Sequence, residues 1–307
     1  MGGCRIEHNS PGKFIRCRGH LPGVAGQRGV SVLGIFYRLM YVAYQKIYGQ
    51  QQMLHYPLYK DSEQDLVQGQ KYFTDHCVSL LPDPRGKRML DVGCGNGLQT
   101  LYIHEKYAPQ YLYGVDMNPM HVSIAREEKA KRTLDRIDFA VDNAQLLSSI
   151  ADNSFDLAIC IESSHHYPDK DAFLGQLKRV LRPGGQFVIA DLVRKEDREP
   201  GRLGKKFFLC HWAPQRYRDA LARLDLAILR EEDLTDRVRQ AFRNTNHWFT
   251  DTSFTDTRVT GVKTRTSAPK PIGRFYGQFL TSLYKRQIDD LLQYFVIVGQ
   301  KTQAASS

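Results

Sequence analysis

Cysteine is scarce in this chain, and the few cysteines are not spaced as a redox pair or a metal site. The six cysteines among 307 residues include no C-x-x-C pair and no zinc-ligand pattern with histidine. The sequence also lacks an N-x-S/T glycosylation acceptor and any run of 18 apolar residues that would span a membrane. We therefore expect a reduced, cytoplasmic protein with no metal ion and no disulfide framework.

An excess of positive charge is missing from the middle of the chain, although the net charge is +10. Residues 1–46 carry seven Lys/Arg and one acid, and residues 252–307 carry eight Lys/Arg and three acids. Residues 47–251 carry 28 basic and 29 acidic side chains. Because nucleic-acid enzymes usually present a basic face beside the active site, this distribution argues against a nucleic-acid partner.

The most informative segment is a strand, a glycine turn and a helix in direct succession. Residues 89–92 predict a short buried strand, and residues 98–107 carry apolar side chains at helical spacing. Between them, Gly93, Gly95 and Gly97 predict a turn without side chains, in which a ligand can lie against bare backbone at the positive end of a helix. The spacing G-x-G-x-G differs from the G-x-G-x-x-G of dinucleotide dehydrogenases.

An acid closes the next predicted strand. Asp116 lies 23 residues beyond Gly93 and follows the apolar run 111–115. An acid at this place suits the two hydroxyls of a ribose, which indicates a nucleotide-type cofactor. The alternative is that Asp116 caps a helix that begins near Pro119.

The remaining chain alternates between predicted strands and helices, as in a doubly wound α/β sheet. Residues 193–206 read as a loop, and the other predicted elements are strands at 137–143, 154–162, 186–191, 226–230 and 291–298, and helices at 62–80, 173–181, 213–224 and from 235.

This order resembles that of the class I S-adenosylmethionine-dependent methyltransferases over roughly residues 85–300. The resemblance rests on LDVGCGNG at 90–97, the acid Asp116, FDLAICIE at 155–162 and VLRPGGQFVIAD at 180–191. It implies a doubly wound, mostly parallel, seven-stranded Rossmann-like sheet whose last strand is antiparallel, with a helical lid. It also implies S-adenosyl-L-methionine as the cofactor.

The resemblance assigns roles to residues near the ends of the strands. Asp91 would shape the turn near the methionine amino group, and the glycines would let the methionine moiety approach the backbone. The other implied cofactor contacts are Asp116 on the ribose, Met117 and Asp142 on the adenine, Asn143 beside Asp142, Glu162 after the fourth strand, and Tyr56 or Tyr59 in a segment folded over the cofactor.

Two histidines follow the fourth predicted strand, at the edge where a doubly wound sheet binds its ligand. A neutral imidazole can accept a proton near pH 7, so His165 or His166 is predicted to be a general base. Adjacent residues in a turn point in different directions, and we expect only one of the two to face a substrate. Each could instead be a helix-capping or core histidine.

The stretch 162–168 resembles the mycobacterial methyltransferases that act on phthiotriol and phenolphthiotriol lipids. This resemblance favours methylation of a hydroxyl group on a hydrophobic small molecule such as a lipid, a polyketide or another specialised metabolite. A second hypothesis is C-methylation of a prenyl or sterol-like substrate, with a carbocation stabilised by Glu162, Tyr167 and lid aromatics. A third is a cofactor-binding scaffold without catalysis.

The sequence divides into five predicted segments. The arginine-rich, acid-poor first segment is also compatible with an organelle transit peptide. An apolar stripe within 30–48 predicts a helix that packs on the domain or contacts a membrane surface. The oligomeric state stays open, and the segments are a basic flexible tail 1–30, an N-terminal helical cap 31–84, the cofactor-binding core 85–232, a lid insertion 233–285, and the last core strand with a tail 286–307.

Overall fold

The computed structural model describes residues 52–60, 65–197, 209–241 and 292–303. They form one seven-stranded sheet with helices on both faces. The strands are β1 Arg88–Val92, β2 Tyr111–Asp116, β3 Ile137–Val141, β4 Phe155–Ile161, β5 Leu181–Arg194, β6 Leu226–Asp233 and β7 Leu292–Lys301. The helices are α1 Leu66–Ser79, α2 Leu98–Tyr107, α3 Pro119–Lys131, α4 Lys170–Val180 and α5 Pro214–Arg223, with a 3-10 turn at Ser164–His166 and a helical stretch at 235–241.

The strand order is β3-β2-β1-β4-β5-β7-β6, and the first five strands in this order run parallel. Strand β7 lies between β5 and β6 and runs antiparallel to both. The order reverses between β1 and β4, which is the place where such a sheet binds its ligand. The predicted fold class is confirmed.

The two faces of the sheet carry separate hydrophobic clusters. Leu90 and Val92 of β1 belong to one cluster and Met89 to the other, because successive side chains of a strand point to opposite faces. Helices α1, α2 and α3 contribute to the Met89 cluster, and α4 and α5 to the Leu90 cluster. With both faces covered, strand β4 reads as a nearly continuous apolar run, and four of the five residues of β1 are buried.

Several predicted boundaries differ in the structure, and a helix cap and strand pairing account for two of them. Helix α4 begins at Lys170, three residues earlier than expected, because the side chain of Asp169 accepts the backbone N–H of Ala172 at 2.8 Å and caps the helix. Strand β5 continues to Arg194, where it still pairs with Leu292 of β7. The predicted loop over 193–206 is therefore wrong at its first two residues.

Several predicted segments fall outside the described residues: the tail 1–30, the stripe within 30–48 and most of the lid insertion, 242–285. The first part of that insertion is described, and Leu234 and Val238 are buried in the same cluster as Tyr294 of β7. Across the described residues, none of the helices has both the length and the apolar character needed to span a bilayer.

Candidate active site

The turn between β1 and α2 is built from three glycines in left-handed backbone conformations. The φ angles of Gly93, Gly95 and Gly97 are +75°, +55° and +76°, a region that side chains disfavour. A Cβ at Gly93 would also lie 1.8 Å from the Oγ of Ser163. The glycines are therefore required by the backbone and by the close approach of the loop after β4.

Asp116 ends β2 beside this turn. Its Oδ2 accepts the backbone N–H of Gly95 at 3.0 Å, and its Oδ1 accepts the N–H of Asn118 at 2.8 Å. His121 Nδ1 lies 3.5 Å from Oδ1. The N-cap of α3 is Asn118, whose side chain accepts the N–H of Met120, so the alternative that Asp116 is the cap is wrong.

The predicted adenine contacts lie at the carboxyl ends of β2 and β3. Met117 is 65% exposed. Both oxygens of Asp142 are already occupied, since Oδ1 accepts the N–H groups of Asn143 and Ser148 and Oδ2 accepts the N–H and the hydroxyl of Ser149. Each carboxylate oxygen has two acceptor positions, so a bond from Asp142 to an adenine amino group would replace one of these four.

Asp91 is fully buried under the glycine turn. Its carboxyl group accepts hydrogen bonds from Thr100 Oγ1 at 2.7 Å and from Gln99 Nε2 at 3.2 Å. Burial raises the pKa of Asp91 to about 6, against the opposing effect of these hydrogen bonds. Asp91 therefore links β1 to the first turn of α2.

We expect Asp91→Asn to change how stability depends on pH. Folded Asp91 keeps its proton to about pH 6, whereas an unfolded aspartate loses it at about pH 3.9. The wild type therefore loses stability at this residue as the pH rises through that interval, and the amide does not. Relative to wild type, the variant's free energy of unfolding should rise by about 3 kcal/mol between about pH 4 and pH 7. Denaturant unfolding at both pH values measures the change, and an equal difference at the two would contradict it.

The segment ahead of α1 lies over the glycine turn, as expected. A Cβ at Gly95 would meet the side chain of Leu54 at 2.9 Å, and Asn96 Nδ2 donates to the carbonyl oxygen of Gln52 at 2.9 Å. The backbone N–H of Tyr56 donates to Glu162 Oε1. Tyr59 packs instead on Gly69 of α1, away from the turn.

The 3-10 turn after β4 brings His165 onto a buried carboxylate. His165 Nδ1 lies 2.5 Å from Asp191 Oδ1, and the His165 N–H donates to Asp191 Oδ2 at 2.8 Å. Ser164 Oγ and the N–H of Leu192 also donate to this carboxylate. Burial would raise the pKa of Asp191, but the charge and hydrogen bond of His165 hold it well below its ordinary value. With Nδ1–H donating to Asp191, the neutral imidazole carries its lone pair on Nε2.

Two further histidines surround His165. The ring centroids of His166 and His165 are 4.0 Å apart, and the ring of His211 stacks on His165 at 5.4 Å. His211 Nδ1 pairs with the carbonyl oxygen of Leu192 at 2.9 Å. Burial, followed by the charge of His165, lowers the pKa of His211 to about 4, so His211 stays neutral. Of the two predicted histidines, the structure pairs His165 with the carboxylate.

A buried lysine fixes the end of the histidine turn. Lys170 Nζ donates to the carbonyl oxygen of Tyr167 at 3.1 Å and to that of Cys210, and lies 5.6 Å from the centroid of the Trp212 ring. Burial lowers the pKa of Lys170 to about 8. These contacts join the turn after β4 to the segment ahead of α5.

Four residues of the site escaped the sequence analysis: Asp191, Lys170, His211 and Tyr294. Asp191 had a partial signal, because it is the acid that closes the predicted strand 186–191, but only the pairing of β4 with β5 places it beside His165. Tyr294 is the third residue of the antiparallel strand β7 and donates its hydroxyl to Glu162 Oε1 at 2.8 Å. No local pattern indicates that pairing, because 132 residues separate the two.

Comparison with curated proteins finds methyltransferases. The chain is 36% identical over 116 residues to the fatty-acid O-methyltransferase of Mycolicibacterium smegmatis, which covers 38% of this chain and 41% of that protein. It is 36% identical over 117 residues to a probable phthiotriol/phenolphthiotriol dimycocerosates methyltransferase of Mycobacterium ulcerans, and the matched stretch covers 38% of this chain and 44% of that protein. The chain thus matches less than half the length of these two relatives, and the resemblance to mycobacterial lipid methyltransferases is confirmed over that stretch.

Among solved structures, the [4+2]-cyclase SpnF superposes with a TM-score of 0.71 at 21% identity, covering 89% of this chain and 97% of that chain. At this identity the likeness shows a shared fold alone. A family model described as a methyltransferase domain matches residues 83–248, which run from just before β1 to beyond β6 and include every candidate residue from Asp91 to Asp191. This match covers more than half of the chain, and the protein therefore belongs to the methyltransferase-domain family.

Proposed function

We propose that this protein is an S-adenosyl-L-methionine-dependent methyltransferase that methylates a hydroxyl group of a hydrophobic small molecule. The observation that carries the proposal is the Asp191–His165 pair, an oriented imidazole at the carboxyl edge of the sheet. His165 is the general base in this proposal. The methyltransferase domain supports the class of reaction.

The surroundings of Asp116 fit a nucleoside cofactor. Each oxygen of its carboxylate accepts one backbone N–H, and Oδ1 also lies 3.5 Å from His121 Nδ1, so Oδ2 keeps a second acceptor position for a ribose hydroxyl. Met117, Val141 and Leu146 are large apolar side chains that are 65%, 47% and 57% exposed at the ends of β2 and β3. An adenine ring would cover such side chains, and the methionine moiety would lie on the glycine turn.

The chain's own residues supply proton removal and alignment. When bound, the cofactor supplies a methyl group on a positively charged sulfur. An alcohol oxygen becomes a good nucleophile only while its proton is being removed, and His165 Nε2 accepts that proton. The proton on Nδ1 stays directed at Asp191, whose negative charge stabilises the imidazolium. Ser164 holds the same carboxylate at 2.5 Å, which fixes the ring for in-line transfer.

The acceptor class is supported by charge and by the names of the relatives. Residues 47–251 carry nearly balanced charge, which suits a neutral, hydrophobic acceptor better than a nucleic acid. The two curated relatives are named for a fatty acid and for phthiotriol lipids. A hydroxylated lipid or a polyketide is therefore the first class to test.

Two other functions are alternatives to this proposal. C-methylation of a prenyl or sterol-like substrate would use Glu162 and Tyr167, a carboxyl and a phenol in the loop that follows β4, to stabilise a carbocation. A cofactor-binding scaffold without catalysis is the third function.

Product identification separates these functions. The protein is incubated with S-adenosylmethionine labelled on the methyl group and with panels of hydroxylated lipids, fatty acids and prenyl diphosphates. We expect a labelled methyl ether, identified by mass spectrometry. A labelled C–CH3 bond would overturn O-methylation in favour of the second function. Cofactor binding without any labelled product would favour the scaffold, and the absence of cofactor binding would overturn all three.

We expect Asp116→Ala to weaken S-adenosylmethionine binding about ten- to a hundredfold, because charge-assisted hydrogen bonds to the ribose are lost. Isothermal titration calorimetry measures the dissociation constant. Asn118→Ala is the matched control, since it removes the cap of α3 from the same turn and leaves the carboxylate in place. An unchanged dissociation constant in Asp116→Ala would mean that the ribose lies elsewhere.

A further inference from the structure

We infer that Glu162 is a positioning residue, which holds residues 52–60 closed over the glycine turn. We call residues 52–60 the cover segment. The inference rests on the proposed function in one respect, namely that the cleft beneath the cover segment is the cofactor cleft. The hydrogen-bonded arrangement itself belongs to the free protein.

Glu162 sits where three elements meet. Its Oε1 accepts the backbone N–H of Tyr56 in the cover segment at 2.8 Å and the hydroxyl of Tyr294 on β7 at 2.8 Å. Glu162 itself follows the last residue of β4 directly. One oxygen atom therefore ties the cover segment and strand β7 to the end of strand β4.

The backbone at Glu162 is held in an uncommon conformation. Its φ angle is +49°, in the left-handed region that non-glycine residues disfavour. A strained residue next to an active-site loop persists only where its surroundings determine it. Here the backbone N–H of Glu162 donates to the carbonyl oxygen of Ala190 at 2.8 Å, and its side chain meets the two donors above.

The cover segment is also hydrogen-bonded to helix α1. Gln70 Nε2 donates to the carbonyl oxygens of Met53 and His55 at 2.7 and 2.6 Å, and Gln70 Oε1 accepts the N–H of Met53 at 2.9 Å. These bonds fix the shape of the segment through contacts with α1, and none of the three involves the sheet. The bond from Tyr56 to Glu162 then sets where the segment lies relative to β4.

The position of Glu162 couples the cover to the catalytic turn. The next residue, Ser163, fills the space above Gly93, and its Oγ pairs with the hydroxyl of Tyr167 at 2.6 Å. Two residues further on, His165 contacts Asp191. The closed position of the cover segment is therefore coupled to the position of the 3-10 turn that carries His165. The closed segment also keeps water from the cleft.

Hydrogen exchange of the free, full-length protein tests the anchor directly. Peptide-resolved deuterium uptake is compared for wild type, Glu162→Ala, Glu162→Asp and Glu162→Gln. We expect Glu162→Ala to speed exchange in the cover segment at least tenfold while β1 and β4 peptides stay protected. Glu162→Asp should act in the same direction because its carboxylate does not reach the Tyr56 amide, and it replaces the alanine variant should that one fail to fold. Glu162→Gln keeps a carbonyl oxygen at the same place and should exchange like wild type.

The rate at which S-adenosylhomocysteine leaves the protein gives a second readout. We expect dissociation about tenfold faster from Glu162→Ala than from wild type, and within about threefold of wild type from Glu162→Gln. Unchanged exchange of the cover segment in Glu162→Ala and Glu162→Asp would overturn the inference, as would a glutamine variant that behaves like alanine. A wild type that binds no S-adenosylhomocysteine would overturn the proposed function, while the exchange of the free protein would still decide the role of Glu162.

Discussion

Replacing His165 with alanine is expected to lower turnover by about 10²–10⁴-fold while cofactor affinity stays nearly unchanged. The reason is geometric, because His165 is held by Asp191 through Nδ1 and has Nε2 left to accept a proton. Its side chain is only 11% exposed, and its removal leaves the buried carboxylate of Asp191 without this partner, so a thermal melt of the variant accompanies the kinetics. Single-turnover kinetics with labelled cofactor, together with calorimetry, measure the two quantities separately.

His166→Ala is the matched control for this variant. It removes a second imidazole ring, whose centroid lies 4.0 Å from that of His165. Turnover should fall by less than about tenfold because the His165–Asp191 pair remains. Near-normal turnover in His165→Ala would contradict histidine as the base, and would favour C-methylation or an acceptor that enters already deprotonated, such as a fatty-acid carboxylate.

Asp191→Asn is expected to lower turnover by about 10²–10³-fold with little change in cofactor affinity. The asparagine amide can donate a hydrogen bond to Nδ1 of His165, which favours the tautomer with its hydrogen on Nε2. That tautomer cannot accept the proton of the acceptor hydroxyl. The loss therefore lies in the chemical step, and pre-steady-state kinetics should show a slower methyl transfer with normal binding.

Stability must be followed in the same variant, because Asp191 is buried and also accepts bonds from Ser164 and Leu192. A thermal melt of Asp191→Asn distinguishes a misplaced turn from a wrong tautomer. A variant that melts near wild type and still turns over slowly supports the tautomer argument. Full turnover with an intact fold would show that His165 works without its carboxylate.

Local sequence determined most of the elements. The strand–turn–helix from 88 to 107 follows from a short apolar run, three glycines that need left-handed backbone, and apolar spacing of 3.6 residues. Strand β2 likewise ends at Asp116, as its apolar run predicts. Several ends differ from expectation, and two of them, the start of α4 and the end of β5, depend on a capping side chain and on pairing with a distant strand.

Local sequence predicted only part of the candidate active site. The sequence placed His165, His166, Asp116 and the glycines at the carboxyl edge, because the edge of a parallel sheet gathers the residues that end each strand. It left open which histidine is the base. The choice depends on Asp191, which lies 26 residues away along the chain and meets His165 only because β4 and β5 are neighbours.

By itself, the sequence determined the fold class, the position of the cofactor turn and the acid that ends β2, since each depends on residues close together in the chain. Tertiary structure alone decided the partner of His165 and the contacts of Glu162 with the cover segment and β7. These depend on hydrogen bonds between residues that pairing and packing bring together, and the sequence pattern carries no record of the strand order that does so.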